Sequence, residues 1–451
     1  MLANNNKKFD LLYILLGGII LCFYAFYNKF PLVYPDTGCY IHSGFENIVP
    51  TDRPIFYGLF IRHISLHASL WLVIFVQGIF VSFVIFHCIE FIVTKYNKSC
   101  IFFFVIIFLT LFTGISVNVS QLIPDVFTPV SLLCLLILLF GPSRKTTFGF
   151  IIFIYILSLL VHFSNIIVHV AVLIVIFVLM VFYKFKKKEF SFKKSKILMI
   201  SAILFFTICI VPTANYFFEG KFRFSKGTHV FMMNHLLETG ILEDYLNNNC
   251  SSKNYKICNY KDSLGWNFMW DEKSPLYLTG GWDANKDEYN SIIRDVLSKP
   301  KYLKVFAEKS VEYAFIQLFH FDMGDTPACK EDSPPYGQVN WRYNNRVREY
   351  VSSLQFNEKL NFSTQNFLQR IIIFLSVFLL IYLYIKQKLS QTHRRILLIL
   401  IFFFIIHAFV CSTFSGICDR FQSRIIWILP FILILFLSEN NYLKFNKEGK
   451  P

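Results

Sequence analysis

Apolar stretches alternate with short polar connections along most of the chain. A helix needs about 20 residues to cross ~30 Å of hydrocarbon, and about ten of the stretches reach or approach that length. We expect spans near 10–29, 68–94, 99–117, 127–141, 148–163, 166–183, 197–214, 366–386, 396–414 and 425–442. Only the sequence HFSN separates the fifth span from the sixth, so a re-entrant pair is the alternative there. The pattern predicts an all-α polytopic membrane protein.

The spans divide the chain into three domains. Residues 1–214 form a seven-helix membrane module, residues 215–365 form a mixed, mainly helical outer-face domain, and residues 366–451 form a three-helix membrane module. Within the middle domain, apolar residues at helical spacing predict a helix over 301–321. SPLYLTGGW at 274–282 resembles a short strand followed by a Gly-Gly turn, and SPPYG at 333–337 is typical of a loop.

Composition and charge agree with a membrane location. The chain has 451 residues, of which 55% are hydrophobic and only 16% charged, with a formal net charge of +15. The lysines cluster beside apolar segments, most densely at 184–196. Such clusters determine which side of the membrane a loop occupies, and they differ from the basic stripe that nucleic-acid binding requires. We therefore expect a multi-pass protein of the bacterial inner membrane with both termini in the cytoplasm. No cleavable signal peptide is predicted, because the first apolar segment ends in bulky residues.

The polar loop at 30–67 is the expected centre of a site, because polar groups held beside a bilayer are unfavourable unless they line one. Asp36, in a PDTG turn, can act as a general base, and its alternative role is that of a helix cap. Asp52 and Arg53 follow in TDRP. The next residues, 55–64, predict an amphipathic interface helix with Ile55, Phe56, Leu59, Phe60 and Ile64 on its apolar face and with Arg62 and His63 turned toward water or headgroups.

Other outer loops add polar groups beside the membrane. Asp125, in QLIPD, can act together with Asp36 as a general base or as a metal ligand, or it can cap the following helix. His162 can bind phosphate oxygens, transfer a proton or serve packing. Arg420 and Arg424 are four residues apart, on one helical face, and arginine pairs suit a lipid-linked phosphate as well as ordinary headgroup anchoring.

The outer domain carries aromatic and cysteine side chains. Trp266, Trp270 and Trp282 can stack on sugar faces, although core packing is the alternative for tryptophan. Cys250 and Cys258 are disulfide candidates in an oxidising compartment, with free thiols as the alternative. No phosphate loop, dinucleotide fingerprint or HExxH motif is present, so no cofactor is predicted, and a divalent metal stays an open alternative.

With these residues placed, the chain resembles the GT-C class of polyprenyl-phosphate-sugar-dependent glycosyltransferases. The resemblance rests on a cytoplasmic N-terminus, Asp36 just after the first span, an interface helix before the second span, Asp125 in the second outer loop and the basic pair Arg420 and Arg424. Size, phenylalanine content and the outer domain are similar to phage-type glucosyltransferases that modify the O-antigen of lipopolysaccharide.

The resemblance implies a polyprenyl-phosphate-linked sugar as donor and a cell-envelope glycan or glycolipid as acceptor, joined at a periplasmic active site. Its catalytic residues would be Asp36, Asp125 and His162. The donor phosphate would be bound by Arg420, Arg424, Arg53 and His63, and the acceptor sugar by the three tryptophans.

Two other functions fit the same pattern. One is a polymerase or ligase of lipid-linked glycans, and the other is a flippase or transporter of a lipid-linked sugar. Charged residues are scarce within the spans, which disfavours an ion-coupled transporter. The enzyme hypothesis requires that Asp36, Asp125 and Arg420 meet at one outward-facing site.

Overall fold

The computed structural model describes residues 2–94, 96–142, 145–186, 192–265, 267–324, 326–440 and 442–443. Within these ranges the regular structure is helical, apart from one isolated parallel β-bridge between Leu32 and Gln121. The prediction of an all-α fold is confirmed for this part of the chain.

The α-helices are numbered in chain order. They are α1 (Leu2–Leu21), α2 (Phe23–Asn28), α3 (Pro35–Glu46), α4 (Phe56–Ser65), α5 (Trp71–Ile92), α6 (Lys98–Phe112), α7 (Ile115–Ser120), α8 (Phe127–Phe140), α9 (Lys145–Leu160), α10 (Phe163–Phe185), α11 (Lys194–Glu219), α12 (Thr228–Glu238), α13 (Ile241–Asn249), α14 (Pro275–Leu278), α15 (Gly281–Ala284), α16 (Lys286–Ser298), α17 (Pro300–Phe319), α18 (Pro334–Arg342), α19 (Val347–Val351), α20 (Ser363–Ile385), α21 (Gln391–Ser415), α22 (Arg420–Ile426) and α23 (Ile428–Glu439). Short 3-10 helices lie at Pro124–Val126, Lys256–Ser263 and Asn344–Arg346.

Six helices in the described ranges are long and apolar enough to cross a membrane. They are α5, α10, α11, α20, α21 and the continuous pair α22 and α23. Four shorter apolar helices, within α1, α6, α8 and α9, occupy the remaining predicted segments. The structure thus defines a membrane protein with at least these six candidate spans.

The apolar helices differ in how much of their surface is exposed. Phe177 and Phe182 on α10, and Phe374 and Phe378 on α20, are among many large apolar side chains that point outward. In contrast, α8 is buried along its length, from Phe127 to Leu139. Outward apolar faces at this density fit contact with lipid tails, with α8 at the centre of the bundle.

The stretch between α11 and α20 divides into two parts. Helices α12 to α17 surround a core of their own, which includes Met233, Tyr245, Tyr289 and other residues from Val230 to Tyr302. Residues from Phe321 to Phe356 instead join the main core of the membrane bundle. The predicted domain at 215–365 therefore contains a unit with its own core, residues 228–319, and a second segment packed on the loop at 30–67. We call residues 228–319 the outer unit after the location that the sequence predicts.

Two local predictions were wrong. The predicted strand near 274–282 is helix α14, and the loop expected at 333–337 is the start of α18, because a proline at the first helical position favours a helix start. The helix predicted at 55–64 is present as α4, which buries Ile55 and Phe60 of the expected face and also Tyr57, Gly58 and Ile61.

Glycine contacts hold α4 close to α3. Gly58 packs directly on α3, where a Cβ atom added to it would lie 2.6 Å from the carbonyl oxygen of Tyr40. The Tyr57 hydroxyl also donates to Gln77 Oε1 on α5 at 2.6 Å. Close backbone contact and one buried hydrogen bond therefore decide which face of α4 turns inward.

Candidate active site

The loops that the sequence predicts as the first and second outer loops are joined by backbone hydrogen bonds. Leu32 donates to the Ser120 carbonyl at 2.9 Å, and Leu122 donates to the Leu32 carbonyl at 2.8 Å. The amide of Gln77, buried in α5, donates to the carbonyls of Val119 and Gln121 at 2.9 and 3.0 Å. This pairing places the start of α3 next to the start of α8, and so brings Asp36 close to Asp125.

Asp36 lies in the first turn of α3, where the predicted PDTG turn is in fact helical. The N-terminus of a helix favours a carboxylate. Arg53 donates to Asp36 Oδ1 at 3.1 Å and also binds Asp52, while its guanidinium stacks 4.9 Å from the centroid of Tyr40. Burial raises the pKa of Asp36, but Arg53 and Arg420 outweigh it and hold that pKa below its ordinary value of 3.8.

Arg420 bridges the two carboxylates. Its Nη1 lies 3.4 Å from Asp36 Oδ2, and its Nε lies 3.2 Å from Asp125 Oδ2. The guanidinium also stacks 4.2 Å from the ring centroid of Tyr34. Gln317 fixes the loop before Arg420 through two hydrogen bonds with the backbone of Cys418, at 2.8 and 2.9 Å. The final outer loop is thereby held over the first two.

Arg424 forms the buried floor of the cluster. Its side chain is 0% exposed and its Nη1 donates to Asp125 Oδ1 at 2.8 Å. Its Nη2 lies 2.8 Å from His407 Nε2 and 3.3 Å from Cys411 Sγ on α21. A buried guanidinium needs this many partners, because an unpaired buried charge is strongly unfavourable.

His162 sits at the edge of the cluster, just before α10. Its Nε2 lies 3.4 Å from Arg424 Nη1 and 3.9 Å from Asp125 Oδ1, and its Nδ1 is 2.8 Å from Ser164 Oγ. Burial, and then the charge of Arg424, lower the pKa of His162 well below its ordinary value of 6.5. The imidazole is therefore neutral near pH 7 and can accept a proton from a partner only weakly.

The acid–arginine cluster, defined as Asp36, Asp52, Asp125, Arg53, Arg420 and Arg424, has three carboxylates and three guanidiniums. Its formal charges balance, yet Arg53 Nη1 is buried without a hydrogen-bond acceptor in the described structure. The cluster can chemically offer a negatively charged oxygen two guanidiniums, those of Arg53 and Arg420, beside a carboxylate that accepts a proton.

Other predicted site residues lie outside the cluster. His63 is on the exposed side of α4 and has no contact with the cluster in the described structure. Trp270 and Trp282 are in the outer unit, with ring centroids 6.1 Å apart, and Trp270 is 54% exposed. Trp266 lies outside the described residues. Cys250 and Cys258 form a disulfide.

The two residues just before the outer unit, Lys226 and Gly227, contact the loop that carries Arg53. Lys226 donates to the carbonyl of Val49 at 2.6 Å, and a Cβ added to Gly227 would lie 2.7 Å from Trp282 and 3.0 Å from the carbonyl oxygen of Thr51. The Trp270 and Trp282 pair is thus linked through one turn of chain to Asp52 and Arg53.

Sequence reasoning missed His407 and Gln77. Both are polar residues in apolar segments, and both are fully buried with specific partners. A polar side chain inside a membrane span is itself a signal for a site or a structural anchor, and that signal was present in the sequence.

The described residues contain no group of three or more His, Cys, Asp and Glu side chains placed to hold a metal ion. In comparisons with known proteins, no family model, no curated protein and no solved structure matches this chain.

Proposed function

We propose that the chain is an integral membrane glycosyltransferase that moves a sugar from a polyprenyl-phosphate donor to a cell-envelope glycan or glycolipid. The observation that supports this most strongly is the bridge from Arg420 to both Asp36 and Asp125. Residues from the first, second and last outer loops meet beside apolar helices, where a lipid-linked phosphate would lie. The resemblance to GT-C enzymes supplies the reaction class.

In this proposal Arg53 and Arg420 bind the donor phosphate. Arginine presents a planar fork that matches phosphate oxygens. Arg53 Nη1 has no hydrogen-bond acceptor in the described structure, so it can donate to a ligand. Arg420 lies at the partly exposed side of the cluster, with 15% of its side chain accessible. The lipid tail would stay among the apolar helix faces while the phosphate reaches these two guanidiniums.

Asp36 is the proposed general base. Its side chain is 27% exposed, whereas that of Asp125 is 2% exposed and lies between two arginines. As the acceptor oxygen attacks the anomeric carbon, its proton passes to Asp36 and the carbon–oxygen bond to the phosphate breaks. The bonding electrons leave with the phosphate, whose charge the arginines stabilise.

The pKa of Asp36 is lowered in the protein without a bound donor. A donor phosphate that engages Arg53 and Arg420 would draw their positive charge away from Asp36. Loss of that charge raises the pKa of a carboxylate and makes it a better base. Asp125 and Arg424 then act mainly to position Arg420, and the neutral His162 at the edge of the site contacts Arg424 and Ser164.

The same proposal includes the topology. The four shorter apolar helices join the six long ones to give ten spans, with both termini in the cytoplasm and the cluster facing the periplasm of a bacterial inner membrane. Trp270, which is exposed, and Trp282, which is partly buried, are the proposed acceptor platform on the outer unit. O-antigen lipopolysaccharide is the acceptor class that the resemblance favours.

The test is sugar transfer by the full chain in proteoliposomes that contain polyprenyl-phosphate-linked sugars. Replacing Asp36 with Asn removes the base, and general-base loss lowers rates by about 100-fold or more. Asp322→Asn is the matched control, because Asp322 pairs with an arginine that is not part of the cluster, Arg370. Full activity of D36N would exclude Asp36 as the base.

The same vesicles separate the other two functions. A flippase would move the labelled donor between leaflets and leave it chemically intact. A polymerase or ligase would transfer an oligosaccharide block, which mass analysis of the product distinguishes from the addition of one sugar. Either result would replace the proposal of single-sugar transfer.

A further inference from the structure

A polar cavity lies at the end of the bundle opposite the acid–arginine cluster. Helix α8 runs from the cluster at Asp125 to Leu139, a rise of about 20 Å at 1.5 Å per residue. At that far end a cavity of about 520 Å³ opens between α5, α8, α11 and α21. Its walls include Lys193, Lys196 and Arg395, the carboxylate of Glu90, and the rings of Phe140 and Phe192.

Among the described residues, Lys193 and Lys196 of this lysine cavity, defined by the lining above, have no ion pair with a carboxylate, unlike the arginines of the acid–arginine cluster. Lys196 donates to the carbonyls of Leu139 and Gly141 at 3.2 and 2.8 Å, which are neutral acceptors. An ammonium group has three donors, so one is left for a ligand. Within the described chain, neither Lys193 nor Lys196 has a carboxylate within 4.0 Å, and Glu90 is paired with His87 at 2.9 Å.

Two helix starts add to the positive potential. Helix α11 begins at Lys194 and α21 begins at Gln391, and both are long helices whose N-termini meet the cavity. Helix N-termini carry partial positive charge and exposed N–H groups, which favour phosphate. The aromatic walls would accommodate the glycerol and first methylene groups below such a phosphate.

We infer that this lysine cavity binds the phosphate of an acidic phospholipid headgroup. Basic pockets between membrane helices have this use in general, since headgroup phosphates lie at the level of the helix ends. A free phosphate would satisfy the same cations, but the apolar walls beside them favour a ligand with acyl chains. The inference does not depend on sugar transfer at the opposite end.

The experiment uses the purified full chain in detergent, with phosphatidylglycerol, phosphatidylcholine or inorganic phosphate added separately. Native mass spectrometry measures the retained lipid, and thermal unfolding measures the stabilisation by each compound. Lys193→Gln and the double variant K193Q/K196Q should weaken phosphatidylglycerol binding by about fivefold for each lysine removed. K193R/K196R, which keeps both charges, should bind nearly as the wild type does.

K386Q/K388Q is the matched control, because it removes two exposed lysines that do not line the cavity. It should leave phosphatidylglycerol binding unchanged. Equal loss in this control, equal retention of phosphatidylcholine, or stabilisation by inorganic phosphate alone would overturn the inference. Should K196Q fail to fold, K193Q and K196R still decide the matter, because Lys193 is exposed and Arg keeps the charge at 196.

Discussion

The two ends of the bundle handle positive charge in opposite ways. At one end, Arg424 has no exposed surface and Arg420 is 15% exposed, and both are paired with carboxylates. At the other, Lys196 rests on neutral carbonyls at the end of α8, and Lys193 is exposed. A balanced buried cluster is therefore part of the fold and keeps a site in shape, whereas a lysine that contacts only neutral groups is available to bind an anion.

The largest expected effect comes from removing the buried guanidinium. Arg424→Leu leaves His407 and one oxygen of Asp125 without their partner, which costs about 3–5 kcal/mol when a buried pair is broken. Thermal unfolding of the detergent-solubilised chain measures this loss of stability. Arg370→Leu, at an exposed ion pair, is the control and should change stability by less than about 1 kcal/mol. Equal effects would contradict the distinction between buried and exposed charge.

The second-largest effect is expected at the contact that aligns α3 with α4. Gly58→Ala forces a methyl group into the backbone of α3 near Tyr40, so we expect a loss of about 1–3 kcal/mol. Because Asp36 and Arg53 lie on the two sides of this contact, sugar transfer should also fall by about 100-fold. Gly149→Ala, where nothing lies within 4 Å, is the control for both measurements. Unchanged transfer by G58A would show that the alignment is unimportant.

Acid should lower the stability of the folded chain in two separate pH ranges. Below pH 6.5 the unfolded chain protonates His162 while the folded chain, with its lowered pKa, does not, so stability falls by up to about 1.4 kcal/mol per pH unit. Asp36, whose folded pKa is below 3.8, stabilises the fold above that value, and this contribution is lost as pH falls through the folded pKa.

Unfolding midpoints between pH 7 and pH 5 measure the effect in the first range. His162→Gln removes the titrating group, so its stability should fall less steeply with acid than that of the wild type. His63→Gln is the control, since His63 is exposed. A steeper profile for H162Q would contradict the assigned direction.

The smallest effect is expected at the lysine end. Lys196→Met removes hydrogen bonds to two neutral carbonyls, which changes stability by about 1 kcal/mol, far less than R424L. Salt should weaken the stabilisation by phosphatidylglycerol, because exposed charges are screened, and should scarcely change the stability of the arginine end. Salt titrations of the unfolding midpoint check both statements.

Much of the architecture could be predicted from hydropathy. The apolar segments became apolar helices because a chain in hydrocarbon must satisfy its backbone hydrogen bonds within each segment. The missed elements, α14 and α18, begin at Pro275 and Pro334, where proline starts a helix although it usually indicates a loop. Composition alone does not separate these two uses of proline.

The site was only partly predictable. Asp36, Asp125, Arg420 and Arg424 could be selected because each is charged and borders an apolar segment. Their pairing could not, since it depends on the bridge between the two outer loops at Leu32 and Gln121. His63 was selected on the same grounds; it is exposed, as the amphipathic pattern of α4 predicts, and it has no ion pair with the cluster in the described structure.

The most direct test is Arg420→Lys in the proteoliposome transfer assay. Lysine keeps the charge that neutralises Asp36 and Asp125 but lacks the fork that reaches both carboxylates and a phosphate. With an unfolding midpoint near that of the wild type, sugar transfer should fall by about 100-fold. Transfer at the wild-type rate by a folded R420K variant would contradict the claim that this bridge is the centre of an active site.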